Sequence, residues 1–225
     1  MKKVVFVVSG GDLGDPAFLR EQAATAAPAA VICADGGAHY LAAAGIIPDL
    51  IVGDMDSLDS AILQSYEAKG CRVIRHSQRK DETDTELALR EAFRMQPAEV
   101  WIWGALGYRV DHLLANIALL TQGKREGIEL KLIDEWCEVF LIDRRTVITG
   151  EAGQTVSLLP FAGRAVGVTL TGFEFSLTKA FMEIGQPYGV SNRLIGEQGI
   201  IEVDSGCLLA VRYFRPGVFP GEVKG

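Results

Sequence analysis

Aspartates carry most of the potential chemistry in this chain, and they recur where apolar runs end. Asp35 follows the run Ala30–Ala34, and Asp54 and Asp56 follow Leu50–Val52 within Gly53-Asp54-Met55-Asp56-Ser57. Asp81 and Asp84 come after Cys71–Ile74, and Asp111 comes shortly after Val100–Trp103. Residues i and i+2 of an extended segment point the same way, so Asp54 and Asp56 are expected to converge on one cation. Asp81 and Asp84, three apart, meet on a first helical turn. Carboxylates gathered in one pocket repel one another unless a cation neutralises them. Magnesium takes one or two of them directly, and substrate phosphates and waters complete its shell. Any one of these acids also fits a helix cap. Their recurrence after successive runs favours a metal and phosphate site instead.

A second cluster is Gly104-Ala105-Leu106-Gly107-Tyr108-Arg109-Val110-Asp111-His112. Its two glycines let the backbone approach a ligand closely, and Arg109 offers a two-point fork for a phosphate. The helix expected next, with Leu113, Ile117 and Leu120 on one stripe, aims its N-terminus at the same place. His112 and Asn116 share another of its faces, and His112 alone reads equally well as a structural hydrogen-bonder. Gly10-Gly11-Asp12-Leu13-Gly14 has the look of a phosphate loop but lacks the second glycine of GxGxxG, and no GxxxxGK[ST] occurs. Neither nucleotide fingerprint is present.

The elements that must position these residues are legible in the spacing. Val4–Val8 reads as a buried strand, and Ala30–Ala34, Leu50–Val52, Cys71–Ile74 and Val100–Trp103 complete a five-strand series with helices between. Asp15-Pro16 is a helix start, and Thr83-Asp84-Thr85-Glu86 is a capping box. Gly45 and Gly70 end two further helices. Strands alternating with helices imply a parallel sheet with helices on both faces. After about Gly123 the helical spacing gives way to β-type runs: Leu130–Ile133, Val139–Ile142, Thr155–Leu159, Val166–Leu170, Ile200–Val203 and Leu208–Tyr213. Glycines and polar turns punctuate them, as in an antiparallel sandwich or partial barrel. Residues 1–123 are therefore expected as an α/β unit and residues 124–225 as a β unit.

With 225 residues, 48% of them hydrophobic, the chain can bury its cores without staples. The formal charge of −7 leaves no basic excess, so neither nucleic acid nor an anionic membrane is expected as a partner. Cys33, Cys71, Cys137 and Cys207 show no CxxC spacing, which points to buried thiols in a reducing compartment. The apolar run behind Met1-Lys2-Lys3 ends in Gly10-Gly11-Asp12, and no cleavage site follows it, so it reads as a first strand rather than a signal peptide. No stretch approaches the ~20 apolar residues of a membrane span. A cytoplasmic location is expected.

Taken in order, Ala34-Asp35-Gly36-Gly37, Gly53-Asp54-Met55-Asp56-Ser57, Lys80-Asp81-Glu82-Thr83-Asp84 and Gly104–Gly107 running into Arg109-Val110-Asp111-His112 with Asn116 resemble the thiamine pyrophosphokinase family. Leu170-Thr171-Gly172 and Gly189-Val190-Ser191-Asn192 resemble its thiamine-side segments. The resemblance implies transfer of the β,γ-pyrophosphoryl group of ATP to the thiamine hydroxyl, with AMP released. It also implies Mg2+, an α/β catalytic domain followed by a thiamine-binding β-sandwich, and a homodimer. It assigns Asp54, Asp56 and Asp84 to the metal, and these with Arg109 and Asp111 to catalysis. Asp35, Gly36, Gly37, Asp81, Thr83, Gly104, Gly107, Arg109, His112 and Asn116 fall to ATP, and Tyr188, Ser191 and Asn192 to thiamine. Three positions depart from the family pattern: His39 where asparagine is common, Tyr108 where a second glycine is common, and Arg193 where glutamate often follows Ser-Asn.

Other readings compete. An Asp-based phosphatase would use Asp54 and Asp56 as nucleophile and acid, but that motif usually follows the first strand and has Thr or Val where Leu58 stands. A pyrophosphokinase for another alcohol, such as a pterin, could use the same α/β unit, although Gly189–Asn192 favours thiamine. A non-catalytic nucleotide or thiamine sensor would not need so many carboxylates around anionic phosphates.

Overall fold

Apolar runs rich in β-branched residues form most strands of the first unit, and β2, β3, β5 and β6 run into a glycine or an acid. A computed structural model describes residues 3–79 and 81–220; Lys80 and Met1-Lys2 of the motifs above lie outside the described residues. The elements are β1 (Val4–Val8), α1 (Pro16–Ala26), β2 (Ala30–Ala34), a single 3-10 turn (Asp35–Gly37), α2 (Ala38–Ala44), β3 (Leu50–Gly53), α3 (Ser60–Ala68), β4 (Arg72–Arg75), α4 (Asp84–Arg94), β5 (Glu99–Trp103), α5 (Val110–Glu126) and β6 (Glu129–Ile133). The six strands lie in the order β6-β5-β1-β2-β3-β4, and every neighbouring pair is parallel.

The expected helix signals operate. Asp15 accepts from Ala17 N at 2.8 Å to cap α1, with Pro16 as its first residue. Thr83 Oγ1 accepts from Glu86 N at 3.2 Å to cap α4. Gly45 ends α2 in the left-handed conformation. Right-handed crossovers put α1, α2 and α3 on one face and α4 and α5 on the other. Consistent with this, α1 contacts α2, α2 contacts α3, and α4 contacts α5 while packing on β1, β2 and β3. The strand centres Val5–Val8, Ile32, Cys33, Ile51, Val52 and Ile102 are buried between these layers. Trp103 is buried against Phe6 and Phe18, which seats α1 on β1 and β5.

The second unit contains β7 (Cys137–Ile142), β8 (Thr146–Thr149), β9 (Thr155–Pro160), β10 (Ala165–Thr171), β11 (Leu177–Met182), β12 (Asn192–Arg193), β13 (Gln198–Glu202) and β14 (Leu208–Tyr213). Its strands pair antiparallel in two layers, β12-β9-β14-β7 and β11-β10-β13-β8. Phe140, Leu158 and Leu208 of one layer and Val168, Leu170 and Ile201 of the other share one core, so the unit is a sandwich rather than a barrel. Three of its strands, β8, β11 and β12, were not anticipated. They are short or half-exposed and carry no apolar run.

The units divide after Glu135. The boundary expected at residue 123 falls inside α5, and Leu130–Ile133, expected in the β half, is β6 of the parallel sheet, in register with β5. A single strand that ends a βαβ crossover has the same composition as one that opens a sandwich, which is why spacing alone misplaced it.

Candidate active site

The chain leaves β1 toward β2 on one side and returns from β4 to β5 on the other, so the carboxyl ends of β1 and β5 flank the topological switch point. Ligands of parallel α/β sheets bind there. A cleft of about 470 Å3 lies at this place, lined by Ser9–Asp12 after β1, Ala34–Gly36 after β2, Ser57 after β3, Thr83–Thr85 at the start of α4, and Gly104, Ala105, Gly107, Tyr108 and Arg109 after β5, with His112, Leu113 and Asn116 of α5. The first turns of α4 and α5 both border it, so two helix N-termini face one space suited to an anion.

The glycines bring the two principal loops together. Gly11 N–H donates to Gly104 O at 3.0 Å. Gly104 has φ +64, and a Cβ on it would overlap the carbonyl oxygen of Ser9. Gly37 is packed so tightly on β1 that a Cβ would overlap Val8 O.

Asp35, Asp54 and Asp84 form the acidic centre, each offering a carboxylate oxygen within 4.8 Å of the others. Asp35 is 2% exposed, and its Oδ2 accepts from Ser57 N at 3.2 Å while its buried Oδ1 has no protein partner. Burial first, and then the nearby Asp84 and Asp54 charges, push its pKa above the ordinary 3.8, against the opposing pull of the Ser57 hydrogen bonds. An orphaned, buried carboxylate oxygen among like charges, in an all-oxygen set, fits a hard divalent cation such as magnesium.

Asp56, expected in the metal set, is not part of this cluster. Met55 has φ 66, so the segment turns instead of running extended, and the i, i+2 argument does not apply. Asp54 Oδ1 accepts from Asp56 N at 3.1 Å, closing the turn. The Asp56 carboxylate instead accepts from Ser57 Oγ at 2.9 Å and Gln78 Nε2 at 3.3 Å. Asp35, expected on the ATP side, takes its place. Asp81 is exposed and does not line the cleft.

On the other side, Arg109 lines the cleft with its fork closed on Asp111, at 2.6 Å and 3.2 Å. The guanidinium holds the Asp111 carboxyl down at about 2. Asn116 is buried, and its Nδ2 donates to Ala105 O at 2.9 Å, which ties the glycine loop to α5. Its role in this structure is positional. His112 is exposed at the cleft wall, and His39, one of the departures, is hydrogen-bonded to Ser57 O at 3.1 Å. Sequence reasoning missed Ser9 and Thr85, whose hydroxyls meet at 2.9 Å inside the cleft. The signals were adjacent ones: Ser9 directly precedes the Gly10-Gly11 loop after a buried strand, and Thr85 stands beside Asp84 within the capping box.

Tyr188, Ser191 and Asn192 lie in the second unit. Ser191 has φ 62, and its N–H donates to Ser157 Oγ at 3.0 Å. Asn192 is buried: its Oδ1 accepts from Phe175 N at 3.0 Å and its Nδ2 donates to Phe175 O at 2.8 Å. The amide thus clamps the backbone of Phe175, whose ring is 62% exposed. Tyr188 and Phe181 are also exposed, whereas Phe173 fills the sandwich core.

Raising a carboxylate pKa by folding means that the folded chain binds more protons than the unfolded one between the two values. Stability is then lost as pH rises from 3.8 through the raised pKa of Asp35. In EDTA, Asp35→Asn is therefore expected to gain thermal stability over the wild type as pH rises through that window. Magnesium should shrink the gain. A difference that is flat with pH, or unaffected by magnesium, would show that no strained metal site exists here.

The description "Thiamin pyrophosphokinase, catalytic domain" matches residues 22–132, and "Thiamin pyrophosphokinase, vitamin B1 binding domain" matches residues 143–208. The chain is 33% identical over 180 residues to a thiamine pyrophosphokinase of Bacillus subtilis, covering 79% of this chain and 84% of that one. Thiamine pyrophosphokinase 2 of rice is 26% identical over 206 residues, covering 80% and 76%. The crystal structure of the Bacillus subtilis enzyme superimposes with a TM-score of 0.83 at 30% identity, over 94% of this chain and 99% of that one. The thiamin pyrophosphokinase of Candida albicans, at 18% identity, shares the fold with a TM-score of 0.82 over 95% and 90%. With matches over both units and these relatives, the chain belongs to the thiamine pyrophosphokinase family.

Proposed function

We infer that the chain transfers the β,γ-pyrophosphoryl group of ATP to the hydroxyl of thiamine, giving thiamine diphosphate and AMP. The observation that carries this reading is the convergence of Asp35, Asp54 and Asp84 with two glycine loops and two helix N-termini in one cleft of a family member. Mg2+ would be held by Asp35, Asp54 and Asp84, and when bound it supplies positive charge against the triphosphate. The chain's own groups position the reaction. The first turns of α4 and α5 receive phosphate oxygens, and Arg109 exchanges the Asp111 carboxylate for a phosphate. The thiamine oxygen bonds to the β-phosphorus as the bond to the bridging oxygen breaks; AMP leaves with that oxygen, and the hydroxyl proton is released.

Thiamine recognition belongs to the second unit, where the exposed faces of Phe175 and Tyr188 suit a cationic ring. Ser191 supplies a short polar group, and Asn192 acts through Phe175 rather than by direct contact. The working form is a cytoplasmic homodimer. Among the described residues no helix is long and apolar enough to cross a membrane.

Purified chain incubated with ATP, magnesium and thiamine is expected to yield AMP and thiamine diphosphate in equal amounts by mass analysis, and EDTA should stop the reaction. Release of ADP with thiamine monophosphate would rule out pyrophosphoryl transfer.

A further inference from the structure

Ser9, directly after β1, and Thr85, the second residue of α4, both line the cleft, and their hydroxyls share one hydrogen bond of 2.9 Å. Two hydroxyls carry two O–H protons, and a bond between them uses only one. Among the described residues neither hydroxyl has a second partner. The pair therefore keeps one proton to give, beside Asp84 of the acidic centre. Ser9 is held firmly: it is 3% exposed, its N–H donates to Trp103 O at 2.8 Å, and Gly104 packs on its carbonyl oxygen. Thr85 is half-buried. A helical threonine often turns its hydroxyl back to a carbonyl of the preceding turn. Here the bond to Ser9 holds Thr85 Oγ1 toward the end of β1 instead.

The difference in burial sets the direction of that bond. The enclosed Ser9 hydroxyl donates to Thr85 Oγ1, and the more accessible Thr85 hydroxyl keeps its proton for whatever fills the cleft. That occupant must accept a hydrogen bond beside three carboxylates. The centre is itself built for an occupant, since the buried Asp35 Oδ1 has no protein partner. A bare anion would be repelled there, but an anion that arrives with a divalent cation is not. Phosphate oxygens are strong acceptors, and hydrogen bonds to charged acceptors are the stronger kind. We propose that Thr85 Oγ1 donates to a phosphate oxygen of the metal-bound triphosphate, with Ser9 as the positioning residue that presents it. This adds a side-chain donor to the backbone N–H groups of the same turn, and it rests on the assignment of ATP to this cleft.

The test is calorimetric titration of the intact protein with tripolyphosphate in magnesium, with circular-dichroism melts to confirm that each variant is folded. Thr85→Val keeps the shape and removes the donor, so it should weaken tripolyphosphate about 10- to 100-fold, the range of a lost hydrogen bond to a charged group. Thr85→Ala, which puts no branched carbon into the turn, should match it. Thr85→Ser restores the hydroxyl and should bind within about threefold of wild type. Ser9→Ala leaves the donor but frees its rotamer, at a cost of about 2- to 5-fold. In the Thr85→Val background the same Ser9→Ala change should cost less than about twofold, a coupling that a merely structural serine would not show. The KM for thiamine should stay within about twofold throughout. The proposal is overturned if Thr85→Val and Thr85→Ala bind tripolyphosphate like wild type, if Thr85→Ser fails to rescue, if Ser9→Ala costs the same in both backgrounds, or if the KM for thiamine rises instead. A wild type that binds no magnesium tripolyphosphate would defeat the assignment of ATP to the cleft, and the hydroxyl pair with it.

Discussion

Asp84→Asn is expected to lower turnover by about 10²- to 10³-fold, the range for losing a contact to charge that develops in the transition state, while the chain stays folded. Asp84 is the first residue of α4, where asparagine is tolerated and only a favourable interaction with the helix dipole is lost, about 0.3–1 kcal/mol. Removing one of three crowded like charges offsets that loss. Asp56→Asn is the matched control. It sits in the same acidic region of the sequence, yet its carboxylate is spent on Ser57 and Gln78 outside the centre. Its activity should fall less than about fivefold, a cost for a disturbed surface turn rather than a lost metal ligand. Steady-state kcat and circular-dichroism melts of the two variants check this. Equal losses would place the metal on the Asp54–Asp56 side and undo the Asp35-centred cluster.

Gly104→Ala is expected to destabilise the fold by about 2–4 kcal/mol and to weaken AMP binding with it. Two costs combine. At φ +64 any side chain is strained, worth about 1 kcal/mol. The added methyl must also push the loop after β5 off Ser9 and Gly11, whose carbonyl oxygens close around it. Gly45→Ala separates the two costs, because its φ is +70 and its Cβ would meet nothing within 4 Å. That variant should lose only the conformational term. Urea midpoints of the two proteins measure the difference, and identical midpoints would show that the loops at the cleft are loosely held.

The sequence by itself determined what depends on nearest neighbours. Val4–Val8 and Ala30–Ala34 are legible as strands because five-residue apolar runs containing β-branched residues are too short for a helix of ordinary length. Asp15 and Thr83 had to open helices because their side chains satisfy backbone N–H groups two or three residues on. The placement of acids at the ends of successive strands was visible too, since the chain order of a parallel α/β unit puts those ends on one edge. Tertiary structure alone decided which acids meet. One residue, Met55, with φ 66, turned Asp56 away from Asp54, and the 3-10 turn after β2 brought Asp35 in. No spacing rule encodes that choice, because it follows from where β2, β3 and α4 pack. The same holds for Asn116 and Asn192, whose amides read as ligand groups in the sequence. Burial against backbone partners 11 and 17 residues away made them clamps, since a buried amide must spend its hydrogen bonds on whatever the fold brings within reach.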